Sequence, residues 1–138
     1  MMVEITQNLR DPHHVRRVVF IEEQGFTEAE EWDDRDGDAV QLVVRDAGAP
    51  VASARLLRDG TTGKIGRICV LKPYRGRGLG AAMVDFGIAH FRATPGVTRV
   101  YLSAQTHALP FYEGLGFRAY GDEYLDGTVP HRDMDLPL

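Results

Sequence analysis

The chain has 138 residues, 43% of them hydrophobic, and a formal net charge of −4. That length supports one core and leaves too little apolar material for two, so one domain over residues 1–138 is expected. The acidic balance offers no positive field for a duplex nucleic acid, and Trp32 and the other aromatics show no base-stacking pattern. Cys69 is the single cysteine, which leaves no intrachain disulfide and suits a reducing compartment. Met1 to Arg10 lacks the basic-then-apolar order of a signal peptide. No apolar run approaches the roughly 20 residues of a membrane helix, so a soluble, cytoplasmic protein with no membrane partner is expected.

Asp11-Pro12 reads as a helix N-cap followed by proline at the first helical position. Val15, Val18 and Val19 then share a face, and Gly25 is a stop signal. Glu28 to Asp38 is rich in acids and reads as a short helix or loop. Val40, Leu42 and Val44 alternate with other positions as in a strand, Asp46 to Pro50 turns, and Val51 to Leu57 completes a hairpin. Asp59-Gly60 turns again, and Lys64 to Leu71 is a third strand. Pro73 to Gly80 breaks the pattern. The next helix carries Leu79, Met83, Phe86 and His90 on one stripe and Val84, Ile88 and Phe91 on the adjacent one. Such a wide apolar face belongs against a sheet. Pro95-Gly96 ends it. Val97 to Ser103 is a strand, Leu109 to Leu115 a short helix closing at Gly116, and Phe117 to Tyr120 and Arg132 to Leu136 the last strands. The order βα(α)βββαβαββ fits an α/β fold with a mixed sheet and helices on both faces.

Arg75-Gly76-Arg77-Gly78-Leu79-Gly80 sits between an apolar strand and an amphipathic helix. Glycines let the backbone turn tightly and let an anion approach the main chain. Successive N–H groups and the helix N-terminus form an anion nest, and Arg75 and Arg77 add charge. A pyrophosphate is the natural ligand. A P-loop would need Gly-Lys-Ser/Thr at the end, which is absent. Gly76, Gly78 and Ala81 satisfy G-x-G-x-x-A, but Arg92 to Ala104 holds no acid for a dinucleotide ribose. From the residues two readings then stand: a loop that binds a pyrophosphate, or a connection that binds nothing.

Arg75, Gly78 and Gly80 resemble, position by position, the acetyl-CoA loop [Gln/Arg]-x-x-Gly-x-[Gly/Ala] of the GNAT superfamily. Ala108 to Phe117 resembles a second signature of that superfamily, A-x-x-F-Y-x-x-x-G-F, in the superfamily's order. The two motifs span about residues 64–120. The N-terminal half is similar to a subgroup carrying R-x-x-V-F-x-x-E-Q and E-x-D-x-x-D, here Arg16 to Gln24 and Glu31 to Asp36. Gly127-Thr128-Val129-Pro130-His131 resembles that subgroup's G-I-P-H with one residue more, and Gln41 stands where the subgroup has histidine.

The resemblance implies a mixed, mostly antiparallel sheet with splayed central strands, and transfer of acetyl from acetyl-CoA to an amine of a small molecule or a protein. A non-catalytic acyl-CoA sensor is the alternative, and a homodimer is an available state. It implies that Ile68, Cys69 or Val70 offers a backbone donor to the developing oxyanion and that residues Arg75, Gly76, Arg77, Gly78, Leu79 and Gly80 hold the cofactor. Tyr112 matches the acid that serves the leaving thiolate. Glu23, Glu31, Asp33 and His131 are candidates for the base that deprotonates the amine. Nine acids lie between Glu22 and Asp38 with only Arg35 among them; they read either as a mouth for a cationic amine or as a solvated surface. Cys69 reads as a small buried hydrophobe ahead of a nucleophile. His13, His14, His90 and His107 lack ligand spacing, so no metal is expected.

Overall fold

The computed structural model describes all 138 residues, Met1–Leu138. Its strands are β1 (Val3–Thr6), β2 (Val40–Asp46), β3 (Ala49–Asp59), β4 (Thr62–Val70), β5 (Arg99–Gln105), β6 (Arg118–Asp126) and β7 (Val129–Pro137). Its α-helices are α1 (Arg10–Arg16), α2 (Glu28–Glu31), α3 (Leu79–Arg92) and α4 (Leu109–Gly114). The strands form one sheet in the order β1-β2-β3-β4-β5-β7-β6. All neighbours are antiparallel except β4 and β5, which α3 joins as a crossover.

The two faces of the sheet differ in chemistry. Against α3 lies the main core, in which Met83, Val84, Ile88 and Phe91 pack on Leu42, Ala54, Leu56, Ile65, Val100 and Leu102. Burying each large helix side chain contributes on the order of 1.5–3 kcal/mol. The other face carries a small apolar cluster in which Val15 and Val19 cover Cys69. Around it the buried side chains are polar: Arg16, Gln41, Ser53 and Arg55. Both faces being covered explains why Gln41, Leu42, Val43 and Val44 are all buried where simple alternation predicts every second residue.

Several boundaries differ from the sequence reading. The first helix starts at Arg10, because the Asn8 side chain accepts a hydrogen bond from the Arg10 amide at 2.8 Å. Asp11 therefore lies inside the first turn, where its carboxylate accepts from Arg45 at 2.9 Å instead of capping. Beyond α1 the chain continues as a π-helical segment, Arg17–Glu23, that ends before Gly25 at φ +82°. Thr27 and Glu30 form a reciprocal capping box on α2. The last two strands are nine residues each, longer than expected. In β6 only Ala119 is even half-buried, so its pattern gave no alternation to read.

Close approach explains two glycines. A Cβ at Gly63 would stand 2.4 Å from Phe91 Cγ, and one at Gly87 would stand 2.7 Å from Ile65 Cδ1. Gly63 pairs with Val100 at the single parallel junction, so the Phe91 ring lies directly on the joint between β4 and β5. Gly63→Val should overpack that joint and lower unfolding stability by about 1–3 kcal/mol, read from urea or thermal melts.

Candidate active site

Pairing between β4 and β5 is brief. It runs from Thr62–Arg99 to Lys64–Tyr101 and then stops. Immediately beyond, β4 bulges: Ser53 pairs with Cys69 and Arg55 with Gly66, so Arg67 and Ile68 together oppose Ala54. A bulge adds twist and bends its strand. Arg67 takes the left-handed conformation this bulge requires, at φ +52°, a position where glycine is the usual occupant. The diverging strands leave a cleft of about 480 Å³.

The open edge of β4 carries free backbone groups. The Leu71 amide donates to Val51 across β3 at 2.9 Å. Alternation then turns the amide and carbonyl of Val70 away from β3, toward the cleft. The Val70 carbonyl accepts from Arg75 Nε at 2.9 Å, which agrees with that direction. Ile68, Cys69 and Val70 all line the cleft.

At the top of β4 the chain passes through Lys72–Tyr74 into the glycine turn and α3. Gly76 and Gly78 both stand at φ +79° with nothing within 4 Å of a Cβ position. The turn and Leu79 and Gly80 therefore bring bare main chain to the N-terminus of a 14-residue helix. Arg75 lines the cleft, and both arginines of this turn have protein contacts. Both arms of Arg75 donate to Glu23, at 2.6 and 2.7 Å. Arg77 lies over the Tyr74 ring at 5.0 Å.

Tyr112 lines the cleft from α4, with its ring edge-on to Phe111 and Phe117. Burial alone pushes its phenol up to about 12. Cys69 is buried and its thiol is likewise pushed up to about 12, by desolvation first, which removes the thiolate a nucleophile needs. Of the four base candidates, Glu31 and His131 line the cleft, while Glu23 and Asp33 do not. Glu23 is held below its usual range by the hydrogen bonds from Arg75. Asp33 takes a two-armed contact from Arg55, at 2.7 and 2.8 Å.

The acidic segment divides: Glu31 and Asp36 are buried in ion pairs, while the other acids are exposed. Arg16, only 1% exposed, donates to Glu31 at 2.8 Å and to Asp36 at 2.7 Å. Arg55 joins Asp33 and Asp36. Arg67 reaches the Glu31 carboxylate and its carbonyl, both at 3.0 Å. His13 lies 3.0 Å from Asp36, and Gln41 donates to the same residue at 3.2 and 3.3 Å. The result is an ion-pair seam, buried at Arg16, Glu31, Asp36 and Arg55 and partly exposed at Asp33 and Arg67. Its members Arg16, Glu31, Asp33 and Asp36 all stand in the subgroup motifs; Arg55 and Arg67 carried no signal, because their partners lie on other elements. Gln24, the last residue of the first motif, meets Gln105, which carried no signal, across the cleft at 2.9 Å. No group of His, Cys, Asp and Glu is arranged to hold a metal ion, and no helix is long and apolar enough to cross a membrane.

A family model described as an acetyltransferase (GNAT) domain matches residues 13–138. The chain belongs to the GNAT acetyltransferase family. YjcF of Bacillus subtilis (strain 168), an uncharacterized N-acetyltransferase, is 36% identical over 129 residues, covering 93% of this chain and 91% of its own. The crystal structure of Escherichia coli ElaA superposes with a TM-score of 0.84 at 27% identity, covering 98% of this chain and 99% of that one. An acyl-CoA N-acyltransferase from Pseudomonas aeruginosa gives a TM-score of 0.82 at 28% identity, over 97% and 99%. The expected mixed, mostly antiparallel GNAT fold with splayed central strands is the fold observed.

Within this GNAT chain the seam makes stability depend on acid. Burial raises Asp36, but the Arg16 contacts outweigh it and hold its carboxyl at about 2 against an ordinary 3.8. A depressed carboxyl stabilises the fold above its unfolded range, and that contribution is lost as pH falls toward the folded value. Asp33 acts in the same direction. Glu31, raised chiefly by desolvation, acts in the opposite one. Urea midpoints should fall as pH drops from about 4 to about 2, and Asp36→Asn should remove about 2 kcal/mol of that dependence.

Proposed function

We propose that the chain transfers acetyl from acetyl-CoA directly to a primary amine, on a small molecule or exposed on a protein. The parting of β4 from β5 just below a bare glycine turn carries this reading. The turn offers main-chain N–H groups and a helix N-terminus to a diphosphate, without a side chain in the way. The open β4 edge offers strand-like hydrogen bonds to a pantetheine arm.

Acetyl-CoA supplies an activated thioester; the other requirements fall on the chain. An amide freed at Ile68, Cys69 or Val70 is a preorganised donor for the carbonyl oxygen as it gains charge. The Tyr112 phenol stays protonated at neutral pH and can donate a hydrogen bond to the departing sulfur. The buried, un-ionised Cys69 thiol favours a direct transfer over one through an acylated cysteine. The far end of the cleft, with Phe20, Phe26, Glu30, Tyr101, Asp126 and His131, is the place for the amine.

The test is thiol release from acetyl-CoA against a panel of amines, beside calorimetry of acetyl-CoA binding. Turnover with at least one amine is expected. Binding with no thiol release for any amine would mark a non-catalytic acyl-CoA sensor. Tyr112→Phe should cut kcat by about a hundredfold while leaving acetyl-CoA affinity unchanged. Cys69→Ala should keep wild-type turnover; its loss would point to a covalent route.

A further inference from the structure

An alkylamine is an ammonium ion at neutral pH and must lose a proton before its nitrogen can attack. Resting on the transferase reading above, the geometry points to Nε2 of His131 as the atom that takes this proton.

The other three candidates are occupied. Glu23 is clamped by Arg75, and Asp33 by Arg55. Glu31 reaches the cleft wall, but its Oε2 is the counter-ion of both Arg16 and Arg67. Desolvation raises its carboxyl despite those pairs, but protonating it would leave two guanidinium groups short of their counter-charge, one of them fully buried.

His131 has no such duty. It is buried, 6% exposed, and lines the cleft. Its Nδ1 lies 2.8 Å from the Val129 carbonyl. A carbonyl only accepts, so Nδ1 carries the hydrogen and Nε2 carries the lone pair. Nε2 has no protein partner and is not sealed from solvent, and the residue that carries it lines the cleft. The ring is fixed from a second side by Tyr124, stacked at 6.2 Å and 23°. Tyr124 itself donates to Asp133 at 2.8 Å and is bonded to Ser103. The β7 register sets His131 beside Gln105 on the wall opposite β4. Its cross-strand neighbours are Gln105 of β5 and Tyr124 of β6, and Ser103, His107 and Asp126 line the same cleft. Across the cleft stand Glu30, Glu31, Lys64 and Arg67. The residue that lengthens the Gly127–His131 motif is absorbed in the turn, since Asp126 still pairs with Val129 around Gly127 and Thr128.

One proton passes from the ammonium nitrogen to Nε2. The freed lone pair forms the N–C bond to the acetyl carbon while the C–S bond breaks. The sulfur takes a proton from the Tyr112 phenol, and the nitrogen's second proton restores that phenol. His131 returns its proton to water.

The experiment compares wild type with His131→Gln for an alkylamine and for a weakly basic amine already neutral at pH 7. For the alkylamine, kcat/KM should fall by about a hundredfold with acetyl-CoA affinity unchanged. The residual rate should climb about tenfold per pH unit toward the acceptor's own pKa, following the free amine. The weakly basic amine should lose little. Wild-type kcat/KM in the variant, or an equal loss with both amines, overturns the assignment alone. A wild-type chain that turns over no amine overturns the transferase reading and this assignment with it. Should His131→Gln not fold, carbethoxylation of the wild-type chain, mapped by mass spectrometry, decides the matter. Activity lost in step with modification of His131 supports the role, and activity that survives its modification refutes it.

Discussion

The site depends on β4 keeping one neighbour while giving up the other. Three residue pairs join it to β5, with Phe91 seated on the joint at Gly63, and after that only β3 holds it. Backbone donors and acceptors in a folded chain need partners, so an interior strand that loses its neighbour must be resupplied. Here the supply is local and partial. Arg75 takes the Val70 carbonyl, and the Val70 amide, on the same side of the strand, is turned toward the cleft. The bulge at Arg67 and Ile68 is the device that makes the divergence abrupt, so the cleft is part of the fold's geometry and not an accident of loop placement.

The second face of the sheet shows what the acidic segment is for. Burying Arg16 is costly unless its fork is filled, and Glu31 and Asp36 fill it. Arg55 and Arg67 extend the same pairing to Asp33 and the Glu31 carbonyl. A count of charges along Glu22–Asp38 finds nearly bare acid, because the compensating guanidinium groups arrive from α1, β3 and β4. The field at the cleft is accordingly much weaker than that count suggests. Among the acids lining it, Glu30 and Asp126 have no cationic partner, while Glu31 is spoken for.

What could be read in advance follows the range of each interaction. The α3 stripes, the glycine turn and the β2–β3 hairpin are contiguous signals, and the structure holds all three close to where the pattern put them. The exposed β6 gave no alternation, and the π-helical segment has no sequence signature comparable to a cap, so their extents were illegible. At the site, the motifs named Arg16, Glu31, Asp33, Asp36 and His131 without their jobs. Those jobs are set by pairings between residues far apart in the chain, such as Arg16 with Asp36 or His131 with the β5 wall. Arg75 is the sharpest case. Its position in the glycine turn suggested a phosphate ligand but gave no sign of its ion pair with Glu23, which lies far back in the sequence.

Arg67 ties these strands of reasoning together. A non-glycine residue in the left-handed region costs on the order of 1 kcal/mol, and glycine at that position would remove the cost. Glycine would also release Glu31 from one of its two guanidinium partners and leave Asp33 with Arg55 alone. Against that cost stand the hydrogen bond from Arg67 to the Glu31 carbonyl and its ion pair with the Glu31 carboxylate, each at 3.0 Å. One residue therefore opens the β4 edge through its backbone and locks the acidic loop through its side chain. The β4 edge and the Glu31–Asp33 segment are thus tied together at one residue.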